Sequence, residues 1–200
     1  MSTRTLPLFP LGTVLFPAGP LALRIFEPRY LDMVGRCMKQ GVGFGVVLLF
    51  EGAEVAGGTL ATAAVGTEAR IVDFHRLEDG LLGLTCIGCE RLRVHRAWRQ
   101  EDGLHLAEAE DLAPDADAAI PADCAHLAQA LKRLYPDLDP AYQWVAPRWD
   151  DAGWTANRLA ELAPLETGVK QGLLELVDPL ARLRYLAPLI RLEDDRRADA

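Results

Sequence analysis

Five prolines fall between Leu6 and Val34, in LPLFPLGTVLFPAGPLALRIFEPRYLDMV, and they restrict what this stretch can become. A proline ring fixes φ and removes a backbone donor, so it suits strand edges, corners and the first turn of a helix. The residues between the rings form short apolar runs: LPLFPL and LALRIF read as strands bounded by turns. Pro28 suits the first position of a helix that places Leu31, Val34 and Met38 on one face, with Gly41 as its stop. No side chain in the stretch demands a catalytic explanation.

Further strands are expected at FGVVLLF, TEARIVDFH and LLGLTCIGCERLRVHRAW, separated by turn signals at Gly52, Gly57 with Gly58, and Asp79 with Gly80. These spacings fit a curled sheet or small barrel plugged by the one inserted helix. DGLHLAEAEDL reads as a last strand, and PDADAAIPAD as an acidic linker without apolar periodicity. The boundary near residues 112–122 divides an expected sheet unit, 1–115, from a helical unit, 116–200. Helices are expected over Asp123–Tyr135, Thr155–Leu162, Thr167–Val177 and Pro179–Leu192. Asp178 and Pro179 make an N-cap and first-turn pair, Leu180, Leu183, Leu186 and Ile190 form a core-facing stripe, and Pro188 ends or kinks that helix near Ala187. The fold class is α+β, ending in a small helical bundle.

Charge narrows the partners. The chain carries 21 basic and 29 acidic residues, a formal −8, divided as +2 over residues 1–100 and −10 over 101–200. Such a balance disfavours general affinity for nucleic acid or anionic membrane. The first apolar run is broken by Pro7, Pro10 and Pro17, so it does not read as a signal peptide, and no run is long enough to span a membrane. Cys37, Cys86, Cys89 and Cys124 are too few and too scattered for a secreted disulfide framework. Reduced thiols and a cytoplasmic location are expected.

The sharpest chemical signal is Cys86-Ile-Gly-Cys89, a spacing that can hold zinc or cycle to a disulfide. It lacks a second ligand pair, and on a strand its two thiols point to opposite faces unless Gly88 introduces a bulge. Buried apolar cysteine is the favoured reading. Gly41-Val-Gly-Phe-Gly45 leads into a strand, where a phosphate-binding loop would open a helix. His75, His95, His105 and His126 show no metal or triad spacing. No catalytic residue, metal or cofactor is expected.

The runs PLFPLGTVLFP and LRIFEPRY resemble the opening signature of the Lon protease N-terminal domain family. DGLLGLTCIGCERLRV, ANRLAELAPL and KQGLLELVDPLARLRYL extend the likeness over nearly the whole chain, with Leu92 standing where an aromatic is commoner. The resemblance implies a PUA-like β pseudo-barrel followed by a helical subdomain, and a role in recognising protein substrates. It does not imply peptidase activity. Lon's ATPase and Ser-Lys modules lie downstream of this domain, and a chain ending at Ala200 is expected to be a stand-alone bacterial member without them. Lys39, Lys132 and Lys170 are followed by Gln, Arg and Gln, which provides no Walker A loop, and the only serine is Ser2, in an expected frayed terminus.

Two constellations are candidates for binding polypeptide. Arg24, Glu27, Arg29 and Tyr30 either line a ligand groove or lock the helix to the barrel through paired charges. Trp144, Trp149 and Trp154 either form an exposed aromatic hot spot or dock the helices onto the sheet. The expected function is non-enzymatic binding of an unfolded or flexible polypeptide, or of a partner protein, between barrel and bundle. The alternative is a PUA-like nucleic-acid binder, against which stands the lack of a basic stripe interleaved with aromatics.

Overall fold

The computed structural model describes residues 3–55 and 59–190, with the backbone alone at 51–55, 59 and 60. Seven strands and five helices follow in order: β1 (Thr3–Leu11), β2 (Pro20–Ile25), α1 (Pro28–Gln40), β3 (Phe44–Val55), β4 (Thr59–Thr62), β5 (Val65–Arg76), β6 (Leu82–Arg99), β7 (His105–Asp111), α2 (Ala125–Leu134), α3 (Ala152–Leu162), α4 (Thr167–Glu175) and α5 (Pro179–Leu186). Single-turn 3₁₀ segments cover Ala122–Cys124, Tyr135–Asp137 and Pro140–Trp144. This is an α+β fold. Among the described residues no helix is long and apolar enough to cross a membrane.

The prolines stand where a ring is tolerated. β1 changes partner along its length: Thr3 to Leu8 pair antiparallel with β7, and Leu8 to Leu11 pair parallel with β3. Pro7 and Pro10 therefore each lie where the strand has a neighbour on one side only, so a missing N–H need not break a ladder. Pro17 is in a corner, Pro20 begins β2 and Pro28 opens α1. The sheet runs β1-β7-β6-β5-β3-β4, with β2 added to β6, and the β1–β3 pairing closes it on itself.

Helix α1 begins at Pro28 and ends at Gly41, whose φ of 67° only a residue without a Cβ adopts freely. Its buried stripe is Tyr30, Met33, Val34 and Cys37. This corrects the expected face, for Leu31 and Met38 lie outside it in solvent. The observed stripe has the same helical spacing and differs by counting a tyrosine and a cysteine as apolar. These residues pack with Phe9, Ile25, Phe44, Leu84 and Cys86 in one core. A smaller cluster holds Leu6, Leu8, Val47 and fully buried Leu92.

The largest core is shared by both halves: Val14, Phe16, Leu48 and Val65 pack with Leu127, Leu131, Trp154, Leu159, Leu183 and Leu186. Residues 112–122 cross this seam as a strap, where the sequence suggested a free linker. Leu112, Ala118 and Ile120 lean on the shared core, Ala119 bridges Asp151, and Asp115 takes two arginines. In α5, Asp178 Oδ1 accepts from the Leu180 amide at 2.9 Å and the helix stops at Leu186, ahead of Pro188. β3 continues through Gly52 to Val55, with a register shift between Leu49 and Glu54, so no turn interrupts it there. Gly57 with Gly58, Ser2 and Leu192 lie outside the described residues.

Candidate functional site

A groove of about 490 Å³ opens between the closed sheet and the helices. Its sheet-side wall is two backbones in close approach. Ala18 donates its amide to the Gly88 carbonyl at 2.7 Å, and the Gly88 amide donates to the Gly19 carbonyl at 2.8 Å. Ala18 has φ 57°, a left-handed conformation that costs an alanine about 1 kcal/mol. Gly88 must lack a side chain, because a Cβ there would collide with the Phe16 carbonyl.

The β5–β6 register slips between Thr67/Arg91 and Ala69/Gly88, the irregularity that a glycine in this strand invited. Cys86 is fully buried, its thiol pushed up to about 12 by burial, with Cys37 nearby adding to the rise. Cys89, half-buried on the groove wall, is also raised by burial. Both shifts oppose the thiolate that redox or zinc chemistry requires. Among the described residues no group of three or more His, Cys, Asp or Glu could hold a metal ion.

The helical wall comes from the 3₁₀ turn Pro140–Trp144, the chain that follows it and the start of α3. Asp151 caps α3, its Oδ1 accepting from the Trp154 amide at 3.0 Å. The three candidate tryptophans take different places. Trp154 is 4% exposed, Trp149 meets it edge-on with ring centroids 5.3 Å apart, and Trp144 stands 46% exposed at the groove. Tyr135 packs edge-on against Trp149 at 5.0 Å and completes the aromatic stack.

Two polar clusters tie the walls together. Arg158, wholly buried, donates from Nη2 to the Pro17 carbonyl at 2.9 Å and to Glu161 at 2.7 Å. Glu161 also accepts from the Tyr142 hydroxyl, whose pKa burial raises, with the Glu161 charge adding. At the floor, Arg91 and Arg182 converge on Asp115 at 2.8 and 2.6 Å. Arg91 also donates to the Leu174 and Leu176 carbonyls, and Arg182 to those of Leu173 and Leu176 and to Asn157 Oδ1 at 2.9 Å. They satisfy carbonyls that the C-terminus of α4 leaves open. Burial depresses the Arg91 pKa, with Asp115 acting against the shift.

The polar residues of the opening stretch lie elsewhere. Along β2, Pro20 pairs with Ile87 at the groove and Arg24 with Gly83, four residues or about 13 Å further on. Arg24 pairs with Asp79 on the surface. Arg29 bonds Glu27 at 2.7 Å, donates to the Gly103 carbonyl at 2.7 Å and lies 4.8 Å over the Tyr30 ring. Tyr30 is buried and stacks on Phe9 at 4.2 Å. His105 is buried at this corner, neither ring nitrogen having a partner, and its pKa is lowered by burial and by Arg29 and Arg99. Sequence reasoning missed Arg91, Asp115, Arg158 and Arg182. The only local signal was the Arg158/Glu161 spacing of three on a helix.

Comparison with known proteins gives one consistent answer. The family model for the ATP-dependent protease La (LON) substrate-binding domain matches residues 5–191. Lon protease 2 of Myxococcus xanthus is 25% identical over 193 residues, covering 94% of this chain and 23% of the relative. Lon protease of Anaeromyxobacter dehalogenans (strain 2CP-C) is 25% identical over 191 residues, 92% of this chain and 23% of its own. The chain thus spans about a quarter of these relatives, and the match takes in no ATPase or protease domain. Among solved structures, the Lon N-terminal domain protein from Xanthomonas campestris is 38% identical with a TM-score of 0.77, covering 94% of this chain and 99% of that one. The N-terminal domain of Mycobacterium avium complex Lon protease shares the fold at 18% identity, with a TM-score of 0.65 over 92% and 96% of the two chains.

Proposed function

The chain belongs to the ATP-dependent protease La (LON) substrate-binding domain family, and on that premise we propose that it is a non-enzymatic module binding flexible polypeptide in the groove between sheet and helices. The observation that carries this reading is the groove itself, with Trp144 exposed on its helical wall. A rigid indole contributes contact area at little entropic cost. The closed sheet is read as a PUA-like pseudo-barrel and the helices as a bundle docked on it, in units near 1–115 and 116–200. Four free cysteines suit a reducing compartment, and the reading places the protein in the cytoplasm.

Within this proposal Trp144 touches the client, whereas Trp149 and Trp154 pack with each other and with Tyr135. Arg24, Glu27, Arg29 and Tyr30 hold α1 against the sheet, since their pairs are with one another, Asp79, Gly103 and Phe9. The test is tryptophan fluorescence titration with a chemically unfolded protein and, separately, with single-stranded RNA. Saturable binding of the unfolded chain on the order of micromolar is expected, weakened about tenfold by Trp144→Ala. RNA binding that falls steeply with salt, with no response to the unfolded protein, would establish a nucleic-acid binder instead.

A further inference from the structure

The charges around the groove are not balanced. Asp115 faces Arg91, with Arg182 behind it, and Asp151 faces Arg148 at 3.6 Å. Glu90 and Asp117, also on the groove, are exposed and in no ion pair among the described residues. Beyond Asp117 the groove opens onto a shelf where Asp150 is exposed and likewise unpaired. Arg91 and Arg182 cannot turn to meet an incoming anion, because both are buried and held by several acceptors each. What a ligand meets is the exposed carboxylates of Glu90 and Asp117 with the Trp144 indole in the groove, Asp150 on the adjoining shelf, and one exposed cation, Arg148, whose charge Asp151 offsets, on a chain of net charge −8.

We infer that the groove selects clients by charge as well as flexibility, taking polypeptide segments in which an apolar side chain is flanked by arginine or lysine. Trp144 receives the apolar residue or the face of a guanidinium, while Glu90, Asp117 and Asp150 attract the cations. The same carboxylates repel an acidic segment that would otherwise bury as much apolar surface. This rests on the polypeptide-binding reading above and specifies its substrate class.

The test uses two unstructured Gly/Ser-rich peptides that carry leucine and phenylalanine at the same positions and differ only in having arginines or glutamates between them. Each is titrated against the full chain and against the E90Q/D117N/D150N variant, whose three sites are exposed and in no ion pair among the described residues. At about 50 mM salt the arginine peptide is expected to bind about tenfold tighter than the glutamate peptide, the ratio falling to within about twofold at ~0.5 M salt and in the variant. Equal binding of the two peptides, or a preference for glutamate, overturns the inference and leaves the polypeptide-binding reading standing. An arginine preference that survives in the variant overturns it too, since the selecting charges are then elsewhere. If neither peptide binds and the unfolded protein does not bind either, the parent reading fails with it.

Discussion

The corner at the start of α1 and the seam between sheet and helices are both built from arginines and carboxylates, in opposite ways. At the corner, Arg24, Glu27 and Arg29 keep their charges partly in water and find partners on adjoining turns. At the seam, Arg91 and Arg182 are buried and share one carboxylate on a strap, and buried Arg158 reaches across to the Pro17 carbonyl. Solvated pairs contribute little to stability, whereas a buried charge needs every one of its partners. The corner bears the recognisable sequence motif, but the seam sets how the two halves meet and therefore the shape of the groove.

The strongest way to break this contrast is Asp115→Ala. It leaves two buried guanidinium groups without their carboxylate, and urea denaturation is expected to show a loss of about 3–5 kcal/mol. A loss below about 1 kcal/mol would put seam and corner on the same footing. The strap, now released, is also expected to become the preferred site of limited proteolysis.

A smaller effect sharpens the corner. Because burial lowers the His105 pKa below its ordinary 6.5, the unfolded chain takes up that proton first as pH falls. Stability is therefore complete above about 6.5 and declines on acidification until the folded His105 itself titrates. The decline has at most the slope of one proton, and His105→Gln is expected to flatten it in denaturation midpoints measured across that range. The smallest effect is expected from Glu27→Gln, which removes a half-exposed partner of Arg29 and is expected to cost less than about 1 kcal/mol in the same assay.

Several elements were legible in the sequence because the signals that bound them are local. Pro28 and Gly41 bound α1, Asp178 and Pro188 bound α5, and the long run from Leu82 became the single strand β6. The buried face of α1 lies one position from the expected one because Tyr30 and Cys37 belong to the core. The strap has the composition of a linker, and what orders it lies far away in sequence: Arg182 is 67 residues from Asp115. No periodicity announces that an arginine is buried. The tryptophans were visible as a group, but which of them faces solvent depends on α3 packing beneath the 3₁₀ turn.

The double pairing of β1 also bears on how this chain acquires its structure. Its early residues bond with β7, Thr3 with Glu108 across 105 positions, while its last four need β3. On a ribosome, β1 is made before β3 and β7 and is thus among the last strands of this sheet to be fully paired, its backbone edge uncovered until β7 has emerged. Distant pairings of this kind slow folding. The two prolines in β1, which donate nothing to a neighbouring chain, make that waiting edge a poor template for aggregation.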